Sequence, residues 1–185
     1  ISDIDPSVFW PELVADINAE VLTQANNSQG IWKAKLNKLD INGQWQGYPL
    51  SVSGTFDFHQ NNGFQLHALS LKNADNVLLL DGDVSKQQEI DIKFMLNAAD
   101  LSHSFPQLGG TLNLVGNLRG STEQPELTYE LLGNNLLVSE VFVEQAVGNG
   151  NIKWNEQKPV ALNLELTGIQ GINNQVDSAK IVIIG

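Results

Sequence analysis

The sequence contains no cysteine, which excludes disulfides, thiolate zinc sites and cysteine nucleophiles together. This absence says little about the compartment, because disulfide-free proteins also occur in oxidising spaces. Basic residues are few, since 10 Lys and Arg stand against 21 Asp and Glu and give a net charge of −11. A nucleic-acid interface needs a basic patch, so no nucleic-acid partner is expected, and anionic membrane surfaces are disfavoured for the same reason.

Long hydrophobic runs are also missing. The apolar stretches are a few residues long, far short of the roughly 20 residues that a membrane-spanning helix requires. The only helix signal places Asp5 at an N-cap and Pro6 at the first helical position, before Pro11 ends the segment. At most one or two short helices are expected. Because the chain starts without Met and stops inside an apolar strand, we interpret it as a piece of a longer protein whose membrane anchor lies elsewhere.

Apolar residues that alternate with polar ones fill most of the chain. In residues 90–98 every second residue is apolar, and the same period of two recurs in segment after segment, with glycines between them. Period two is typical of strands that bury one face. About ten to a dozen such strands, mostly joined by short loops, predict an all-β fold built as an antiparallel meander.

An internal repeat divides the chain at an offset of about 95 residues. Pro11-Glu12-Leu13 aligns with Pro106-Gln107-Leu108, and Ile17 then aligns with Leu112. This predicts two β-groove repeats, 1–95 and 96–185, that are parts of one elongated array rather than independent domains. Each repeat is expected to begin with a short turn that ends in a proline.

The turn around Gly63 allows a prediction of register. A three-residue loop with Gly63 in the left-handed conformation puts Phe58 opposite Leu66 and keeps apolar residues on one face. In the same register His67 lies on the polar face opposite Asp57. A cross-strand His-Asp pair of this kind is more often a surface contact than a catalytic dyad.

No catalytic or metal-binding motif stands out. Asp81 and Asp83 could bind Ca²⁺, but the other ligands of a calcium loop are missing, so Asp81-Gly82-Asp83 is interpreted as a turn. There is no G-x-S-x-G and no P-loop. The four tryptophans could stack on sugars, although two of them fall in phase with aliphatic positions. We predict no enzyme, no cofactor and no metal.

The apolar face is the remaining candidate site. A sheet with one apolar face must cover it, either with a second sheet, as in a closed sandwich, or with a ligand such as lipid acyl chains in an open trough. Both alternatives stay open at this point. The predicted lining residues are Leu50, Val52, Phe56, Phe58, Phe64, Leu66, Ile90, Ile92, Phe94, Leu112, Leu114, Leu118, Leu127, Tyr129, Leu131, Ile152, Trp154, Leu162, Leu164 and Leu166.

The stretch PQLGGTLNLVGNLRGSTEQP at 106–125, and the segments at 161–170 and 177–185, resemble the TamB family. That family is the inner-membrane component of the translocation and assembly module of Gram-negative bacteria, and AsmA-like proteins share similar alternation. The common pattern is Pro-x-Leu-x-Gly, an alternating strand, Gly-x-Leu-x-Gly, a few polar residues and Pro-x-Leu. The resemblance covers essentially the whole chain. It implies a periplasmic rod made of a long taco-shaped sheet with an apolar groove, anchored by an N-terminal helix.

The resemblance also implies a function. Members are implicated in moving phospholipid between the inner and outer membranes, and in outer-membrane assembly with the barrel protein TamA. That contact is attributed to the family's C-terminal region, so this chain is expected to be a middle section of the groove. Phospholipid is the predicted partner, and TamA would be contacted only through other regions. Two alternatives are a protein-binding scaffold that pairs with client strands at its sheet edges, and a carbohydrate-binding or adhesive array.

Overall fold

A computed structural model describes residues 15–154, 160–171 and 174–184. In this part of the chain eleven strands form one antiparallel sheet, and their order in the sheet follows the order in the sequence. The predicted all-β meander is thereby confirmed. The strands are Ala15–Ser28 (β1), Ile31–Trp45 (β2), Tyr48–His59 (β3), Gly63–Asn73 (β4), Asn76–Ser85 (β5), Glu89–Ala98 (β6), Leu108–Ser121 (β7), Pro125–Val138 (β8), Val141–Lys153 (β9), Ala161–Gln170 (β10) and Gln175–Ile184 (β11).

One row of directly opposed residues crosses the whole sheet. Opposed residues of antiparallel strands point to the same face, so the row defines that face, which we call the inner face. Every strand contributes an aliphatic residue or a glycine to it. The row consists of Ala19, Ile41, Val52, Leu71, Leu78, Leu96, Leu114, Leu131, Gly148, Leu164 and Ile181.

Irregular residues bend the strands. At Ala68, where φ is 46°, β4 carries one residue more than β3 and β5 opposite it. The next strand has Gly82 beside this bulge, with a φ of 149°. On the other half of the sheet, Gly110, Asn135 and Gly168 also have positive φ. Bulges and left-handed residues bend a strand and increase its twist, so the sheet curves instead of lying flat.

The exposure of neighbouring side chains shows which way the sheet curves. Leu131 on the inner face is half-buried, whereas Leu132, the next residue of the same strand, is 40% exposed. On β7 the half-buried Leu114 and the exposed Val115 differ in the same sense. Because these aliphatic residues differ mainly in the face they occupy, the inner face is the concave one.

No second layer covers the inner face within the described ranges. Extensive contacts run only between consecutive strands, with a further contact between β7 and the short 3-10 helix Leu101–His103. The closed sandwich is therefore not the arrangement found in this part of the chain. Among the same residues, no helix reaches the length and hydropathy needed to cross a bilayer.

The β3–β4 hairpin keeps the predicted faces but not the predicted register. Phe58 lies opposite Phe64 instead of Leu66, and the loop comprises residues 60–62. Gly63 is already part of β4, where a Cβ would lie 2.2 Å from the Val84 carbonyl oxygen of β5. His67 accordingly lies opposite Thr55 rather than Asp57.

The interpretation of Asp81-Gly82-Asp83 as a turn is wrong, because these residues lie within β5 and pair with β4 and β6. The division into two repeats remains a prediction. Its boundary after residue 95 falls inside β6, and β6 pairs with β7 along its whole length, so the sheet is continuous there. The short helix predicted around Pro6 lies outside the described residues.

Candidate functional site: an apolar groove

The register places the predicted lining residues on one face. Those within strands occupy neighbouring cross-strand rows of the inner face, and Trp154 follows β9 two residues after Ile152. Two of the aromatic rings meet, since the centroids of Phe56 and Phe64 are 5.0 Å apart. Eleven strands at a spacing of about 4.8 Å give this groove a length of about 48 Å along the sheet.

Sequence reasoning missed several residues of the same face. These are Ile41, Leu69, Leu71, Leu78 and Leu80, which complete the rows on β2, β4 and β5. In β5 the reason is visible, because Leu78-Leu79-Leu80 is an uninterrupted apolar run that hides the period of two. Its pairing with Leu71 and Leu96 identifies Leu78 as an inner-face residue.

Accessibility varies along the strands. Phe58, Phe64 and Trp154 are exposed, at 39%, 36% and 53%, and lie towards the end of the strands where the β3–β4 loop is found. Leu50 differs from the other predicted lining residues because only 8% of it is exposed. It lies at the opposite strand end, which a segment of the chain covers.

That segment is the connection between β6 and β7, residues 99–107, which we call the elbow. It contains the 3-10 helix Leu101–His103 and ends beside Pro106, as the sequence predicted for the start of the second repeat. The Trp45 indole N–H donates to the Ser104 carbonyl oxygen at 2.9 Å. The Tyr48 and His103 rings lie 4.3 Å apart. The elbow thus fastens the β2–β3 turn to the end of β6.

Two asparagines at the β4–β5 turn form hydrogen bonds to the elbow. Asn73 and Asn76, opposed at the β4–β5 turn, are 2% and 4% exposed. The Asn76 side-chain amide donates to the Asp100 carbonyl oxygen at 2.7 Å and to Ser104 Oγ at 2.9 Å, while its oxygen accepts from the Asp100 N–H at 3.1 Å. Ser104 Oγ in turn donates to Asn73 Oδ1 at 2.8 Å. This polar network holds the elbow against the β4–β5 turn at one rim of the groove.

The Asp100 side chain caps the 3-10 helix. Its Oδ1 accepts from the Ser102 backbone N–H at 2.9 Å. Hydrogen bonds from Ser102, more than the charge of His103, lower the pKa of Asp100 below its ordinary value. The carboxylate therefore stays ionised to lower pH than a free aspartate would, and it accepts the capping hydrogen bond in that form.

We expect Asn76→Ala to destabilise the elbow by about 2 kcal/mol, because truncation leaves the buried N–H of Asp100 without its acceptor. Hydrogen exchange at residues 99–105 should accelerate, and unfolding by urea should shift to lower concentration. Asn97→Ala is the matched control, since Asn97 is an exposed residue of the neighbouring strand. Equal protection of the elbow in both variants would contradict this role of Asn76.

The outer face is solvated and carries both ion pairs and exposed apolar residues such as Val115. Cross-strand ion pairs join Lys38 to Glu20 at 2.6 Å and Arg119 to Asp91 at 3.2 Å, with their side chains largely exposed. Hydrogen bonds from Asn117 and Arg119 lower the pKa of Asp91. Exposed pairs of this kind contribute little to stability.

The residues first considered for chemistry do not form a site. His67 lies 3.2 Å from Asp57, but both side chains are about 40% exposed, as for a surface pair. Within the described ranges, no three His, Asp or Glu residues are grouped so that they could hold a metal ion. Trp32 lies on β2 and Trp154 follows β9, so these two tryptophans do not form a stacking platform for sugars.

A family comparison agrees with this geometry. The family model described as TamB, N-terminal domain, matches residues 1–185. The chain belongs to the TamB family. The match to the N-terminal domain replaces the expectation of a middle section. No solved structure shows significant similarity to the chain.

Membership in the TamB family defines the general setting. The family is a transport and assembly component of the cell envelope that spans the periplasm, and it works with TamA in the translocation and assembly module. It is not a known enzyme family. An open antiparallel sheet with a concave apolar face fits the groove expected of TamB.

Proposed function

We propose that this chain is a non-enzymatic lipid conduit, in which phospholipid acyl chains lie along the inner face and head groups stay in solvent. The observation that carries the proposal is the apolar row that crosses all eleven strands without a covering layer in the described part of the chain. An apolar face of this length is unusual for a protein surface and indicates a site for an apolar ligand.

The energetics support acyl chains as the ligand. Each methylene transferred from water to an apolar environment gains about 0.8 kcal/mol, so two chains of about sixteen carbons gain on the order of 25 kcal/mol before ordering costs. The groove has no array of polar groups along its floor, since its rows are built from aliphatic, aromatic and glycine residues. It would therefore bind the acyl tails without recognising the head groups.

In the cell, the proposed conduit carries phospholipid across the periplasm between the inner and outer membranes and in this way supports outer-membrane assembly. Membership in the TamB family supports this setting. In this proposal, TamA is contacted through regions of the protein other than this chain.

Site-specific photocrosslinking tests the proposal. With p-benzoylphenylalanine at position 114, on the inner face, we expect capture of phospholipid, identified by mass spectrometry after proteolysis. The same residue at position 115 points to the outer face and serves as the control, and it should capture none. Absence of lipid at position 114 would refute the conduit.

A second candidate is a scaffold that pairs with client β-strands. One observation favours it: within the described residues the sheet is open, since its first and last strands, β1 and β11, do not pair with each other. Unpaired strand edges accept further strands. The crosslinking experiment separates the two functions, because a scaffold would capture protein at position 183 and no lipid at position 114.

A further inference from the structure

Glycines interrupt the apolar row next to the one that defines the inner face. Three of its eleven positions are glycine, in β3, β7 and β9. The row consists of Val21, Leu39, Gly54, Leu69, Leu80, Phe94, Gly116, Tyr129, Gly150, Leu162 and Ile183. In each case a large side chain from a neighbouring strand lies over the glycine. These large side chains therefore rest against the sheet and do not protrude far into the groove.

The clearest case is Tyr129 over Gly150. A Cβ at Gly150 would lie 2.6 Å from Tyr129 Cε1, 2.9 Å from Cζ and 3.0 Å from the hydroxyl oxygen. All three of its nearest atoms thus belong to one ring, which extends along the sheet. Gly150 does not have a positive φ, so its backbone conformation does not require glycine. The tyrosine ring is what requires it.

Phe94 lies over Gly116 in a similar way, with its Cζ 2.3 Å from the position of a Cβ. There the Thr128 carbonyl oxygen is also close, at 2.5 Å, so the backbone itself excludes a side chain. Gly150 is therefore the position where the effect of the ring is separable from that of the backbone. Covering a glycine with a neighbouring aromatic ring is a known means of stabilising a sheet.

We propose that Gly150 sets the free depth of the groove, because the absence of its side chain lets the Tyr129 ring lie against the sheet below the path of the acyl chain. The inference rests on the proposed lipid conduit. A methyl group at position 150 would displace the ring, and a ring turned away from the sheet would stand in the groove. The obstruction would change neither charge nor polarity.

Passage is measured with photocrosslinkers on either side of Tyr129. Positions 78 in β5 and 181 in β11 belong to the same inner-face row, six strands apart. In the full-length protein in cells, we expect Gly150→Ala to change the ratio of phospholipid captured at 78 and 181 about tenfold, which corresponds to ~1.4 kcal/mol. The direction of the change will show from which end lipid arrives.

Two further variants make the result specific. Asn149→Ala changes the residue next to Gly150 in β9, which is exposed on the outer face and away from the groove, so the wild-type ratio is expected. Tyr129→Ala combined with Gly150→Ala removes the obstructing ring and should restore that ratio.

Two outcomes would overturn the inference alone: a wild-type ratio in Gly150→Ala, or an equally altered ratio in the double variant. Absence of phospholipid from both positions in the wild-type protein would instead refute the conduit itself, together with this inference.

Discussion

Replacing Leu114 with arginine is expected to abolish lipid passage while the sheet still forms. Leu114 lies in the middle strands of the sheet, between Leu96 and Leu131 in the inner-face row. An acyl chain at this point would meet a guanidinium group that holds its hydration water, and stripping a charge of water costs several kcal/mol. Because each 1.4 kcal/mol corresponds to a factor of ten, we expect a loss of at least about a hundredfold.

Val115→Arg is the matched control for this change. It adds the same charge to the same strand, but Val115 points to the outer face and is 42% exposed. The ratio of phospholipid captured at positions 78 and 181, which lie on either side of Leu114, is expected to change at least about a hundredfold in Leu114→Arg and to keep its wild-type value in Val115→Arg, with equal amounts of folded protein. If the two variants behave alike, the inner face is not the path of the lipid.

Gly82→Ala is expected to cause the largest loss of stability, about 4 kcal/mol, because steric overpacking and backbone strain add. A Cβ at this position would lie 2.0 Å from the Asp91 carbonyl oxygen and 2.7 Å from Ile92 Cα. Both atoms belong to the backbone of β6, so no side-chain rotation relieves the clash. The residue also has a φ of 149°, which side chains disfavour.

Urea unfolding followed by circular dichroism measures this effect. Gly148→Ala provides the comparison, because the atoms nearest to its added methyl are Leu164 Cδ1 at 3.1 Å and the Asn163 carbonyl oxygen at 3.3 Å, and its φ is not positive. We expect it to change stability by less than about 1 kcal/mol, with a small gain from the reduced freedom of the unfolded chain. A similar midpoint for the two variants would mean that β5 and β6 move apart easily at Gly82.

The inner and outer faces of most strands, although not of β5, could be predicted from the sequence, because polar and apolar residues alternate and consecutive strands pair in order. Under these conditions the face of the sheet on which a residue such as Leu164 or Tyr129 lies can be assigned without tertiary information. The same pattern could not fix the register. A slip of one residue reverses the faces, whereas a slip of two preserves them. The two registers that align Phe58 with Phe64 or with Leu66 therefore fit the hydrophobic pattern equally well.

The bends could not be predicted, since they depend on contacts between strands. Asp81-Gly82-Asp83 has the composition of a turn, but Asp81 accepts from the Ala68 N–H at the bulge of β4 and the segment continues as strand. Leu50 lies on the inner face at the start of β3. Its burial follows from the elbow, which is held by Asn73 and Asn76 at a distance of more than twenty residues in sequence.

In the described residues each strand makes extensive contacts only with the strands that precede and follow it in sequence. This arrangement determines how such a sheet can change in size. A closed barrel ties its diameter to the number of its strands. In this sheet, a further hairpin of two strands would add about 10 Å to one dimension and leave the cross-section as it was. The length and the free depth of the groove can therefore evolve separately. The length changes by duplication of hairpins, and the depth changes by single substitutions at positions such as Gly150.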